Sequence, residues 1–179
     1  MGFLRKGILA TVLCLVNALA YANIPPFDAI KYQLAAPSAE LRAKVSLAWN
    51  LMYPLQGIEP DYKKALELNQ EAFNQGHPEG ASNIGLMYEY GLGVEKDNWT
   101  AAKWYLKAES YEFHSPQAEL GLARVSMQRA PTKENLDTAN MYIEAARVNA
   151  RNRKSLWYDQ RLEFLKEAEL LQRELDHMR

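Results

Sequence analysis

With 179 residues, 48% of them hydrophobic and 24% charged, the chain has room for one packed domain and too much apolar content to stay unfolded. Its formal net charge of −1 at pH 7 supplies no general attraction to nucleic acid or to an anionic membrane surface. One cysteine, Cys14, leaves no internal disulfide framework.

Residues 1–22 read as a signal peptide. Arg5 and Lys6 form a short basic start, an apolar run extends from about Ile8 to Val16, and Ala20-Tyr21-Ala22 makes a small-x-small cleavage site. The run falls short of the roughly 18 to 20 apolar residues that a spanning helix needs, so export is expected and a stable membrane anchor is not. Leu13 stands where a lipoprotein signal would place a small residue, which argues against lipidation of Cys14. Cleavage removes the cysteine and two cations, leaving 19 basic residues against 22 acidic ones, a net charge of −3. The expected location is periplasmic or secreted.

A Pro-containing lead covers 23–37, and beyond it Ala, Leu, Glu, Lys and Gln dominate with no alternating apolar and polar run, so helices are expected throughout. Ser38, Asp61, Asp97 or Asn98, Ser115 and Thr132 carry the chemistry of helix starts, four of these five starts lying beside a proline. Sliding the chain along itself exposes a period. Gly57-Ile58-Glu59-Pro60-Asp61-Tyr62-Lys63-Lys64-Ala65 lies over Gly93-Val94-Glu95-Lys96-Asp97-Asn98-Trp99-Thr100-Ala101 at an offset of 36, with four of nine positions identical. Ile84-Gly85-Leu86 recurs as Leu120-Gly121-Leu122, again 36 residues later. Such a period marks stacked helix-turn-helix units. The pairs Ala65/Ala72, Ala101/Ala108 and Ala139/Ala146 share a spacing of seven, which puts both alanines of each pair on one helix face for close packing. Leu68, Trp104 and Tyr142, each three residues after the first alanine, are expected to fill the groove between helices. Gly85 and Gly121, inside helices where glycine costs roughly 1 kcal/mol relative to Ala, predict tight helix crossings.

The stretch Tyr88-Glu89-Tyr90-Gly91-Leu92-Gly93-Val94-Glu95-Lys96-Asp97 is a corner, not a phosphate loop. A dinucleotide fingerprint would need a strand before it and a third glycine where Lys96 stands. Gly91 suits a left-handed helix end, Gly93 a second sharp turn, and Asp97 the next helix start. From Ile84 to Asp97, followed by Ala101, Trp104, Tyr105 and Ala108, the chain resembles one near-consensus Sel-one-like repeat, a short αα repeat related to the tetratricopeptide family. The likeness extends over about Leu41 to Ala150. It weakens on both sides, with Asn50 in place of the helix glycine and Gln128-Arg129-Ala130-Pro131-Thr132 in place of the glycine turn. The expected fold is all-α: a short αα-repeat solenoid of about three helix-turn-helix units over 38–154. A C-terminal capping helix follows over 155–179. Trp157, Phe164, Ala168, Leu171, Leu175 and Met178 give that last helix its apolar face, and Glu169 with Arg173 an i,i+4 pair on the other. A cap leaves the protein a monomer; the same face used between copies would make a dimer through 155–179.

No constellation nominates catalysis. No serine lies in a Gly-x-Ser-x-Gly elbow, and no two histidines stand within a turn of each other, so neither a catalytic site, a metal site nor a cofactor is expected. His77 and His114 occupy the same inter-repeat loop. Arg147, Arg151, Arg153 and Lys154 form a basic patch at a helix C-terminus, where cations complement the helix dipole; an acidic partner is the alternative use. Asn98-Trp99-Thr100 fits a glycosylation acceptor, and Asn98 is equally a helix start. The resemblance implies that the first helix of each unit lines a concave, partner-binding groove, which places Met52, Asn83, Met87, Tyr90, Glu119, Arg124 and Met127 on that surface. It further implies an exported, non-enzymatic protein–protein interaction module binding a protein or peptide, as adaptor or regulator, or as an immunity protein against a secreted toxin. A hydrolase like the β-lactam-active relatives is disfavoured, because their paired cysteines and a Ser-x-x-Lys nucleophile are both missing.

Overall fold

A computed structural model describes residues 38–110, 114–152 and 158–179, so the signal peptide and the lead at 23–37 lie outside the described residues. The elements are α1 (Ala39–Met52), α2 (Tyr62–Asn74), α3 (Pro78–Tyr90), α4 (Asn98–Glu109), α5 (Pro116–Met127), α6 (Lys133–Asn152) and α7 (Tyr158–Met178). No strand occurs among the described residues, and no helix there is long and apolar enough to cross a membrane.

Each start is fixed by the residue that the sequence offers. Ser38 accepts from the Leu41 N–H at 3.2 Å, Asp61 from Lys64 at 2.9 Å, and Asp97 from Trp99 at 2.9 Å and Thr100 at 3.2 Å. Ser115 and Thr132 do the same, more loosely, at 3.4 and 3.3 Å. These contacts satisfy amide donors that the first turn of a helix leaves without partners. Pro78 and Pro116 open α3 and α5 in the first helical turn, where a missing N–H costs nothing.

Neighbours in sequence are neighbours in space: α1 with α2, α3 with α4, α5 with α6, each pair packing on the next. The odd-numbered helices also form a row, α1 beside α3, α3 beside α5 and α5 beside α7. Helix α7 therefore takes the place of the first helix of a further unit. Its Ala168, Leu171 and Leu175 close a core with Leu120, Met127, Leu136 and Ile143, with Phe164 and Met178 packed at the edge. The six paired alanines, Ala65/Ala72, Ala101/Ala108 and Ala139/Ala146, are all buried, none more than 1% exposed. Leu68 is buried, but Trp104 and Tyr142 are only partly so. Trp104 stands edge-on to Phe73 at 5.6 Å with the Lys107 ammonium 3.7 Å above its ring.

The large aromatic in the core is the next residue, Tyr105, which is fully buried. Its ring explains both helix glycines. A Cβ at Gly85 would lie 2.5 Å from Tyr105 Cε1, and a Cβ at Gly121 2.3 Å from Tyr105 Cζ. The close approach expected at these glycines is thus one ring from α4 held between α3 and α5, not a crossing of two backbones. At the corner, Gly91 ends α3 in the left-handed region (φ 72°, ψ 35°) and the Leu92 N–H returns to Met87 O at 2.8 Å. Gly93 repeats the left-handed turn (φ 69°) against Tyr62, and the Asp97 N–H returns to Tyr88 O at 2.9 Å.

Candidate functional site

The row of odd helices presents a cleft of about 290 Å³. Trp49 and Tyr53, one turn apart at the end of α1, form one wall with ring centroids 4.7 Å apart and planes tilted by 49°. Leu86 and Tyr90, one turn apart on α3, continue it, and Gln117 and Arg124 of α5 lie at the base. Glu163, Phe164 and Glu167 of α7 make the facing wall. Trp49, Tyr53 and Tyr90 are all more than 40% exposed, so the wall is an open aromatic surface. Burial raises the pKa values of Tyr53 and Tyr90, which therefore stay neutral phenols.

Beneath the cleft runs a buried polar network. Arg124 donates from Nε to Glu89 Oε1 at 2.7 Å and from Nη2 to Glu89 Oε2 at 2.8 Å, a two-pronged pair. The Tyr105 hydroxyl donates to Glu89 Oε2 at 2.6 Å, and Arg124 Nη1 donates to Glu167. Burial opposes the charge on Arg124, but the hydrogen bonds and charge of Glu89, then Tyr105 and Glu167, outweigh it and hold the guanidinium protonated. Burial, reinforced by the neighbouring Glu89 carboxylate, pushes the Tyr105 phenol far up. Glu89 is 1% exposed, so Arg124 is its counter-charge as well as its hydrogen-bond donor. Four helices, α3, α4, α5 and α7, are tied through this one network.

Of the seven residues expected on the concave surface, Tyr90 and Arg124 line the cleft. The other five are buried and do not line it. Met52, Met87 and Met127 are buried core, Met52 taking the Asn69 amide on its sulfur at 3.8 Å. Asn83 is buried between Asn69 and Gln117, donating to the first and accepting from the second at 3.0 Å each. Glu119 is buried and accepts from Asn149 Nδ2. The reason is rotational: one residue of helix is about 100° of turn, so Leu86 faces the cleft while Met87 faces the core. Trp49, Tyr53, Phe164, Glu163 and Glu167 were not in the expected set. The available signal was an aromatic pair one turn apart at the end of α1, together with the Leu86/Tyr90 pair on α3.

Of the basic patch, only Arg147 and Arg151 lie among the described residues. Arg147 donates to Glu144 and to Ala168 O at 3.5 Å, Arg151 is exposed, and Arg153 and Lys154 lie outside the described residues. His77 and His114 differ despite their matching loops. His77 is buried at the start of α3, whereas His114 is half-exposed with Nδ1 2.9 Å from Glu109 Oε2. Glu109, His114 and Glu119 bring ligand-type atoms within 4.8 Å of one another. Glu109 already holds His114 on one oxygen and the Ser115 N–H, at 3.0 Å, on the other, so these contacts tie the end of α4 to the start of α5.

The Sel1 repeat model matches residues 42–77 and 78–110, the first span covering most of α1 with α2 and the second α3 with α4. The pair α5–α6 repeats the arrangement beyond that match, with Gly121 on the same tyrosine ring as Gly85. The chain is similar to the chitin synthase regulator SKT5 of Saccharomyces cerevisiae, 28% identical over 117 residues that make up 62% of this chain and 17% of that protein. It is also similar to the ERAD-associated E3 ubiquitin-protein ligase component HRD3 of Candida glabrata, 49% identical over 45 residues, 25% of this chain and 5% of that protein. The chain thus spans a small part of the length of either relative. Sel1 repeats are protein–protein interaction modules and are generally non-catalytic.

Proposed function

We propose that this chain, which carries two Sel1 repeats, is an exported, non-enzymatic binding protein that holds a partner polypeptide in the cleft between α1, α3, α5 and α7. The observation that carries the reading is the wall of Trp49, Tyr53 and Tyr90. These are large rings exposed on a face that packing among the described residues leaves uncovered. Tyr and Trp are the residues that concentrate binding energy at protein interfaces, because they bring large area with few rotatable bonds. The buried Glu89–Arg124 pair ties together α3 and α5, the helices that carry Leu86, Tyr90, Gln117 and Arg124. The signal-peptide pattern of residues 1–22 supports export to the periplasm or beyond, where the protein serves as an adaptor or regulator. The immunity reading uses the same cleft and differs in the partner, a secreted toxin.

The test is affinity capture from the exported fraction with the wild-type protein and with a Trp49→Ala/Tyr90→Ala variant. One partner recovered by the wild type and lost from the variant is the expected result, and its identity separates adaptor from immunity protein. Retention of the same proteins by the variant, or recovery of none by either, would overturn the proposal. Both side chains are exposed, so the variant keeps its fold and a loss of capture reports on the surface.

A further inference from the structure

The charge of the cleft says what kind of side chain it takes. Among the described residues lining it, Arg124 is the single cation, and all three of its nitrogens already donate to Glu89 and Glu167. Against it stand Glu89, buried behind it, and the carboxylates of Glu163 and Glu167 on the facing wall. One guanidinium thus meets three carboxylates, and the excess negative charge lies on the open side, where Glu167 is 41% exposed and Glu163 is exposed. Glu163 and Glu167 are one turn apart on α7, a like-charge pair that repels in the free protein. A positive group between them and the rings removes that repulsion. Opposite, Trp49, Tyr53 and Tyr90 offer the electron-rich faces that attract ammonium and guanidinium groups. The chain already uses this attraction there, with Arg124 Cζ 5.8 Å from the centre of the Tyr90 ring. The volume, about 290 Å³, sits at the lower edge of the roughly 300–1,000 Å³ of small-molecule sites, and suits one long side chain rather than a whole ligand.

We propose that the cleft is an anchor site for a basic side chain of the partner polypeptide, arginine or lysine, held between the Trp49/Tyr53/Tyr90 wall and the Glu163/Glu167 carboxylates. The inference rests on the binding function proposed above and adds the chemistry of the occupant. The aromatic wall takes the flat or apolar part of the side chain, and the two carboxylates take its charge.

The probe is N-acetyl-arginine amide, with N-acetyl-citrulline amide as its neutral isostere, titrated into the purified protein while the Trp49 indole N–H signal is followed by NMR. The arginine amide should move that signal saturably and the citrulline amide should not, and added salt should weaken the effect. Glu163→Gln/Glu167→Gln should reduce the apparent affinity at least tenfold. If the loss of the Arg124 contact at Glu167 unsettles the fold, Glu163→Gln alone serves, with a several-fold loss expected. Equal shifts with citrulline amide, no shift with arginine amide, or full affinity in the variants would each overturn the proposal. If arginine amide fails while capture still depends on Trp49 and Tyr90, the basic anchor is wrong and the binding cleft stands. If capture does not depend on those rings, the cleft reading itself fails.

Discussion

Replacing Gly85 by alanine tests whether one tyrosine ring dictates the repeat glycines. On an ordinary helix the change would stabilise the protein by roughly 1 kcal/mol, because glycine is the poorer helix former. Here the new methyl would stand 2.5 Å from Tyr105 Cε1, 2.6 Å from Cδ1 and 3.0 Å from Cζ. Carbon atoms in comfortable contact are about 3.5–4.0 Å apart, so the ring has to retreat by about 1 Å. It has nowhere to go. Gly121 lies against the ring too, with its own Cβ position only 2.3 Å away, and the hydroxyl is anchored to Glu89 at 2.6 Å. Overpacking of this kind costs about 1–3 kcal/mol; with the ring held on both sides the upper part of that range applies, about 2–3 kcal/mol, and after the helical gain the net loss is about 1–2 kcal/mol. For a chain of this size that is roughly 2–8 °C in Tm. Urea unfolding followed by circular dichroism should show the loss for Gly85→Ala and for Gly121→Ala. In a Tyr105→Leu background the same Gly85→Ala change should cost little or become stabilising, a coupling of about 1–3 kcal/mol. Wild-type stability in Gly85→Ala, or an undiminished loss in the Tyr105→Leu background, would refute the wedge.

The buried pair should matter far more than the exposed one. Glu89→Gln leaves Arg124 without its main counter-charge and should cost about 3–5 kcal/mol, whereas Glu167→Gln, at a site 41% exposed, should cost under about 1 kcal/mol; equal losses in urea unfolding would contradict this. At the corner, Gly91→Ala should cost about 1 kcal/mol for its positive φ alone. Gly93→Ala should cost visibly more, because its Cβ would also lie 2.3 Å from Tyr62 Cβ, and equal thermal shifts would show that this contact yields freely. The hydrogen bond to Glu109 is the largest influence on His114 and raises its pKa above 6.5, against an opposing effect of burial. A pKa raised in the fold means that protonated His114 stabilises the loop, fully below pH 6.5 and progressively less as pH climbs through the higher folded value. Melting curves from about pH 6 to about pH 8 should therefore fall more steeply for the wild type than for His114→Gln, and parallel profiles would remove His114 from the account.

The repeat was legible because each of its signals is local or strictly periodic. An aspartate before a helix needs no knowledge of the fold to cap it, and alanines seven apart share a face wherever the helix goes. Glycine inside a helix likewise announces that something comes close. What comes close was not legible: Trp104 and Tyr105 are adjacent, both large and aromatic, and only the rotation of α4 against its neighbours sends the tyrosine inward and leaves the tryptophan beside Lys107. A single residue of rotation decides between core and surface, and the period of the repeat does not carry that angle.

The same rotation governs the site, and there it acts on polarity as well. Charged residues on a helical repeat read as solvated faces, since an unpaired charge is costly to bury. Glu89 breaks that reading only because Arg124, 35 residues later, arrives on the neighbouring odd helix with two nitrogens in place, and because Tyr105 brings a third donor from α4. None of the three betrays its burial alone. Their separations, 16 and 35 residues, are nevertheless close to half a repeat and one whole repeat, so a polar position matched across successive units is where a buried network can form. Arg124 then has one more nitrogen for Glu167, which brings α7 to the rim of the cleft and adds the carboxylates that set its charge. The polar core therefore helps to determine the chemistry of the surface. A substitution at Glu89, though it touches no partner, should loosen the floor that carries Arg124 and weaken the facing wall along with it.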